Sequence, residues 1–183
     1  MPLTNGLVVM TPTSVAKTGT GSTATINSDG SVTFAACETL SLNGVFTSSY
    51  DNYMITIRIS SSADQTGLGR LRSAGTDASG SNYTRQYLLG NSTTISADRE
   101  TSQTTFRAGS TSSNLRGGDT LFMFGPYLSQ PTAMRQVTIY SSSGGMTIDA
   151  ASTHSLSSSY DGLTLLYSPN NATGLITVFG FNQ

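Results

Sequence analysis

His154 is the only histidine of the chain and lies in ASTHSLSSS, with hydroxyls around it. A histidine beside a serine can activate a nucleophile when a carboxylate orients the ring. Serine is abundant along the whole chain and the Gly-x-Ser-x-Gly elbow does not occur, so the pattern carries no signature of acyl transfer. The ordinary reading of His154 is a solvated loop residue. Cys37 is also alone, in VTFAACETL, which excludes an intrachain disulfide and reads as a small buried apolar group in a strand. One His and one Cys cannot make a zinc set within a chain. The only glutamates are Glu38 and Glu100; a glycosidase pair could use aspartates, yet no two carboxylates stand out. Gly-rich pieces near Thr18–Thr23 and in SSSGGM lack the lysine and the strand–helix context of a phosphate loop. No cofactor, metal or catalytic residue is expected.

Two binding chemistries remain to be weighed. SSYDNYMITIRI from Ser48 is echoed by SSYDGLTLLYS from Ser158, with Tyr50 and Tyr160 110 residues apart. In each copy an aspartate precedes a long apolar strand, where its carboxylate can fold back onto backbone N–H groups and make a turn. Asp51 and Asp161 are thus strand-opening turns, or a weak cation site if the two turns meet. Calcium wants six to eight oxygens and several carboxylates close together. Each Asp stands alone locally. Sugar binding by ring stacking would use exposed aromatics, for which Tyr83, Tyr87, Tyr127 and Tyr140 are the candidates, with no tryptophan to help. Buried or interface tyrosines explain the same positions. Asn-x-Ser/Thr sequons at Asn82, Asn91 and Asn171 are what the Asn and hydroxyl frequencies give by chance.

The elements that must hold these residues are strands. Serine and threonine number 57 of 183 residues, while charged residues are 10%, against a usual ~25%. A disordered chain carries more charge and fewer β-branched and aromatic residues. The net charge of −1 leaves no footprint for nucleic acid or an anionic membrane, and no stretch approaches the ~18 apolar residues of a membrane helix. Residues 1–10 lack a secretory leader's basic start. Lys17 is the only lysine among nine cations. Arginine favours fixed, planar contacts.

Helical periodicity is nearly absent and period-two patterns recur between Gly, Ser, Asn and Asp. YMITIRI puts Tyr53, Ile55, Ile57 and Ile59 on one face. In GRLR, Leu71 stands between two arginines. DTLFMFGPY from Asp119 is nearly all apolar, which predicts a strand covered on both faces. RQVTIYSS predicts Val137 and Ile139 inward, Thr138 and Tyr140 outward. GLITVFGF sets Ile176 and Val178 against Thr177 and Phe179. Weaker strands are expected near Val32–Ala35, Leu40–Gly44, Tyr83–Leu89, Thr104–Arg107 and Met146–Ala150. The pattern predicts an all-β fold, an antiparallel β-sandwich of jelly-roll type. A single domain is expected over 26–183. Residues 1–25, apolar and then Thr/Gly-rich, read as an extended N-terminal arm, either frayed or laying Leu7, Val8 and Val9 onto a neighbour.

TLSLNGVFTSSYDNYMITIRI, RLRSAGTD, FMFGPYLSQPT and the closing NATGLITVFGFNQ, over roughly Ser31 to Gln183, resemble a family of small virion structural proteins of tailed bacteriophages, most of all those of cyanophages. The most specific parts are YDNY and the G-x-x-x-V-F-G-F ending; neither is catalytic. The resemblance implies a jelly-roll-like, non-enzymatic module on the virion exterior, assembled in the host cytoplasm, as a capsid decoration, a knob or a tail-fibre part. It implies a homo-oligomer, often a trimer, with the major capsid protein or other virion proteins as partners. A tail-fibre or receptor-binding module recognising host surface glycan is the alternative. No nucleic acid partner or membrane insertion is implied, and no family active site exists to carry over.

Overall fold

The computed structural model describes residues 6–63, 65–111, 116–140 and 145–182, and only the backbone at 111, 116 and 140. Within these residues the chain is all strand, in two antiparallel sheets that form a sandwich. Chain order is β1 (Val8–Val9), β2 (Ser14–Thr18), β3 (Thr23–Ile26), β4 (Val32–Cys37), β5 (Thr39–Asn43), β6 (Asn52–Ser61), β7 (Gln65–Ser73) and β8 (Thr76–Asp77). There follow β9 (Tyr83–Asn91), β10 (Thr94–Gln103), β11 (Phe106–Thr111), β12 (Arg116–Phe124), β13 (Thr132–Tyr140), β14 (Met146–His154), β15 (Gly162–Leu166) and β16 (Ala172–Phe181).

The larger sheet runs β10-β9-β14-β13-β12-β6-β16-β4-β3, with β1 also on β16; the smaller runs β11-β7-β15-β5-β2, with β8 on β7. The chain steps between the sheets at β4–β5, β5–β6, β6–β7 and again around β11, β15 and β16, a jelly-roll-like path. The core lies between the sheets where period-two strands face each other. Tyr53, Ile55, Ile57 and Ile59 of β6 are buried, as are Ile176 and Val178 of β16, against Leu40, Leu42, Leu71, Leu163 and Leu165 of the smaller sheet. Each such side chain removed from water contributes about 2 kcal/mol.

The stretch expected to be an arm is extended and, from Gly6 on, lies along its own chain. Val8 and Val9 pair with Gly180 and Phe179, β2 is the outer strand beside β5, and β3 is the outer strand beside β4. The boundary at residue 25 therefore falls inside β3 and separates no structural unit. Thr/Gly-rich sequence hid these strands because outermost strands bury little and need no apolar alternation.

One strand runs in the opposite phase to its expected one. In β13 the buried residues are Thr132, Met134, Gln136 and Thr138, while Ile139 is 65% exposed. The physical reason is on the neighbouring strand. Asp119 of β12 stands opposite Thr138, and the two bond to each other inside the sandwich. A polar pair has taken the interior positions and turned Ile139 outward.

The echoed segments do share a place. Gly125 N–H donates to Asp51 C=O and Tyr160 N–H donates to Pro126 C=O, both at 2.8 Å, so the β12–β13 loop ties the openings of β6 and β15 together at one end of the sandwich.

Candidate functional site

The groups the sequence offered for chemistry are mostly inside. His154 is fully buried, not in a solvated loop as expected; it ends β14, with its ring 4.4 Å from that of Tyr83 and edge-on to Tyr160. Nδ1 shares a hydrogen bond of 3.2 Å with the Tyr160 hydroxyl, Nε2 has no partner, and burial holds the imidazole below its ordinary pKa. Cys37 is buried as expected, with its thiol pushed up by burial and weakly bonded to the Thr23 and Ala35 carbonyls.

Asp51 and Asp161 do not form locally closed turns. Asp51 is exposed, while Asp161 Oδ2 accepts from Ala74 N–H at 3.2 Å in a separate loop. Among the described residues no three His, Cys, Asp or Glu side chains gather to hold a metal ion.

The four tyrosines considered as sugar platforms are scattered. Tyr83 is buried, accepting from Leu71 N–H and donating to Ala78 C=O, and burial pushes its phenol well up. Tyr87 is half-buried, and the Arg107 guanidinium lies 3.7 Å from its ring centroid, which takes one face of the ring. Tyr127 is half-buried against the core. Tyr140 pairs through its backbone with Gly117 and Met146, and its side chain lies outside the described residues.

Two interior polar clusters escaped sequence reading. On the smaller sheet the Arg72 guanidinium donates to Ser41, Asn43, Asp77, Thr164 and the Gly75 carbonyl, with each of its three nitrogens bonded to protein. Between the sheets, Thr138 Oγ1 donates to Asp119 Oδ1 at 2.6 Å, and Gln136 Nε2 donates in turn to Thr138. Above them β11 bulges at Gly109, whose φ of +66° suits glycine, and the bulge needs Gly67 opposite because a Cβ there would meet Gly109 O at 1.6 Å. No sequence pattern marks such clusters, since their members are spread over separate strands.

The surface feature that stands out is the outer face of the larger sheet. Pairing sets Arg135, Phe122, Met54, Phe179 and Val9 in one row across β13, β12, β6, β16 and β1. The next row holds Ala133, Phe124, Asn52 and Phe181. Residues directly opposite point to the same side of a sheet, so four phenylalanines and Met54 form one patch. Four of the seven phenylalanines are on this face; the other three, Phe34, Phe46 and Phe106, are in the core. The neighbouring rows carry Thr120, Thr56 and Thr177, then Ile139, Gly118, Arg58 and Leu175.

Among the described residues, Val9, Leu88, Ile95, Phe124 and Ile139, five of the eight exposed large apolar side chains, belong to this face by register. The expectation that β12 is covered on both faces thus meets a strand covered on one: Leu121 and Met123 are buried, while Phe124 remains 36% exposed. The charge nearest the phenylalanines is Arg135, directly opposite Phe122, and it is paired with a carboxylate. Arg135 Nη2 and Nε reach Asp149 Oδ2 and Oδ1 at 2.8 and 3.2 Å, and Arg58 and Arg99 are exposed further out. At the far end of β16 a wide-open groove of about 470 Å³ is lined by hydroxyls of Ser60, Ser61, Ser62 and Thr173 with Asn171 and Ala36.

No family model and no curated protein matches the chain. Among solved structures, a family 29 carbohydrate binding module from Piromyces equi (CBM29_1) is similar at 12% sequence identity and a TM-score of 0.33, over 96% of this chain and 91% of that one. At that identity and TM-score the likeness carries no function to this chain.

Proposed function

We propose that this chain is a non-enzymatic structural protein of a tailed-bacteriophage particle, placed on the virion exterior as a capsid decoration or knob, and that it works by docking through the outer face of its larger sheet. The observation that supports a docking role is the phenylalanine patch of β12 and β16. Four of the seven phenylalanines stand outside the core on this one face, Phe122, Phe179 and Phe181 half-buried and Phe124 exposed. Contiguous apolar area of this kind marks interaction surfaces. Val9 sits beside Phe179, so the N-terminal segment and the sandwich face are one docking surface rather than two. The interior position of His154 and Asp119 fits a scaffold, where such groups specify packing and do not meet substrate.

Immunogold labelling of purified particles with an antibody against the full chain tests this reading. Labels on the shell exterior support it. Particles that form without the protein, in a lysate where it is abundant, overturn it.

A further inference from the structure

We infer that the second half of β11, residues 108–111, is a proton-controlled flap over Asp119: shut while that carboxyl holds a proton, and opening to solvent once it is ionised. The inference is independent of where the protein docks, and adds a moving part to the fold.

Three features of the fold carry it. First, Asp119 is a buried carboxyl with no cation to offset it. It is 4% exposed, its Oδ2 has no hydrogen-bond partner, and among the described residues it belongs to no ion pair. The groups packed on it are uncharged: Ile57 opposite on β6, Thr138 and Gln136 on β13, and the Gly109 amide on β11. Buried Tyr167, just after β15, lies in range of it; burial first, then the Asp119 charge, pushes that phenol up, so it stays neutral. An ionised carboxylate in such a place lacks the solvation that water would give it.

Second, β11 is laid over this carboxyl and is an outer strand. A Cβ on Gly109 would stand 3.8 Å from Asp119 Oδ2, and β11 is the end strand of the smaller sheet, bonded there to β7 alone. Third, β11 is built to hinge. Phe106 fixes its first half, fully buried with its ring against Gly69 and the Tyr83 ring. The ladder to β7 then shifts between Arg107 and Ser110, where Gly109 has a φ of +66°. Past Arg107 no large side chain holds the strand until residue 111: Ala108, Gly109 and Ser110 lie along Gly67, and the ladder resumes as Ser110 with Thr66 and Thr111 with Gln65. Segments held by so little apolar contact open locally, without global unfolding. Two other charged sites border the flap. Glu100 holds Arg107 at 3.7 Å and Arg85 at 3.0 Å, and loss of the Glu100 charge would loosen β11 in acid, the opposite sense. His154 is at the far end of β14, against Tyr83 and Tyr160.

The closed flap binds the proton more tightly than the open one, since burial raises the carboxyl from 3.8 to about 6. The opening equilibrium should therefore climb with pH and level off above about 6, gaining ~50-fold between pH 4 and 8. The test is hydrogen exchange of the full chain, followed amide by amide by NMR over that range and corrected for the intrinsic rate. Global unfolding exposes Asp119 as well, so the flap must also open before the core does. The Gly109, Ser110 and Thr111 amides are expected to exchange faster than those of the core pair Ile57 and Ile176 and to show the ~50-fold gain. Asp119→Asn, which cannot ionise, should hold them at the acid level of opening throughout, with circular dichroism checking its fold. Amides of residues 109–111 that exchange in step with Ile57 and Ile176 overturn the inference. So does local exchange that does not change with pH, or a pH dependence that survives in Asp119→Asn. The wild-type profile alone decides should the variant not fold.

Discussion

Replacing Asp119 by asparagine should make the protein more stable, and only above acidic pH. Asp119 is 4% exposed, and its Oδ2 has no hydrogen-bond partner. Burial pushes the carboxyl from 3.8 up to about 6, against Thr138, Gln136 and the Gly109 amide, which pull it down. At ~1.36 kcal/mol per pKa step, keeping this group ionised inside the sandwich costs about 3 kcal/mol. The folded chain binds the proton more tightly than the unfolded one. The cost is therefore absent below pH 3.8, grows as pH rises toward about 6, and is constant above.

Asp119→Asn keeps the shape and removes the charge. Its Tm should exceed wild type by ~6–12 °C at pH 8, at ~2–4 °C per kcal/mol for a chain of this size, and match it near pH 4. His154 works the other way: its pKa is lowered by burial, so its contribution is present above pH 6.5 and is lost as pH falls below it. In wild type the two slopes oppose each other below about pH 6; in the variant the Asp119 slope is gone, and stability should fall on acidification below pH 6.5. Thermal and urea melts from pH 4 to 8 read all of this. A variant less stable than wild type at pH 8, or one gaining equally at both ends, would refute the account of Asp119 as a buried carboxylate held at a cost.

Three further outcomes follow from the interior. Tyr53→Phe should lose about 1–3 kcal/mol in urea unfolding, because the hydroxyl accepts from Thr47 N–H at 2.7 Å and donates to the Thr47 or Tyr50 carbonyl, and the Thr47 donor is left without it. Arg72→Ala should cost about 3–5 kcal/mol by stranding Asp77 next to Thr164, and adding Asp77→Ala should recover part of that loss. EDTA should leave the Tm unchanged, since Asp51 and Asp161 do not gather with other carboxylates; a fall of several degrees would reveal a bound cation.

The sheet layers were legible wherever a strand has one dry face and one wet one. In β6 the Tyr53, Ile55, Ile57, Ile59 alternation gave the buried set residue by residue. It was misleading in β13, where Gln136 and Thr138 are inside: a buried polar pair inverts the phase, and only the partner Asp119, on another strand, reveals why. β10, TISADRETSQ, shows no alternation because nearly all of it is exposed on both faces, and β2 is nearly the same; β3 does alternate, with Ala24 and Ile26 against the core, but at four residues it is too short to stand out. Of the residues singled out at first, Tyr83 and His154 belong to the core, Asp51 and Asp161 to the pinned strand openings, and Val9 to the margin of the phenylalanine face. The face itself is not visible in one strand. Phe122 and Phe179 become neighbours only when β6 is laid between β12 and β16 with Met54 in register.

That register also explains why composition does not account for the patch. A hydroxyl at 124 or 181 would cost the fold little and lower the hazard of an apolar sheet face. The outward positions of β6 at 56, 58 and 60 are Thr, Arg and Ser, and β14 has Thr147, Asp149 and Thr153. The outward phenylalanines 122, 124, 179 and 181 are confined to the two strands that flank β6. They fill the last two rows at one end of that face, with the row of Thr120, Thr56 and Thr177 beside them. The last residues of β12 record the same arrangement: Leu121 and Met123 face the core while Phe122 and Phe124 face outward.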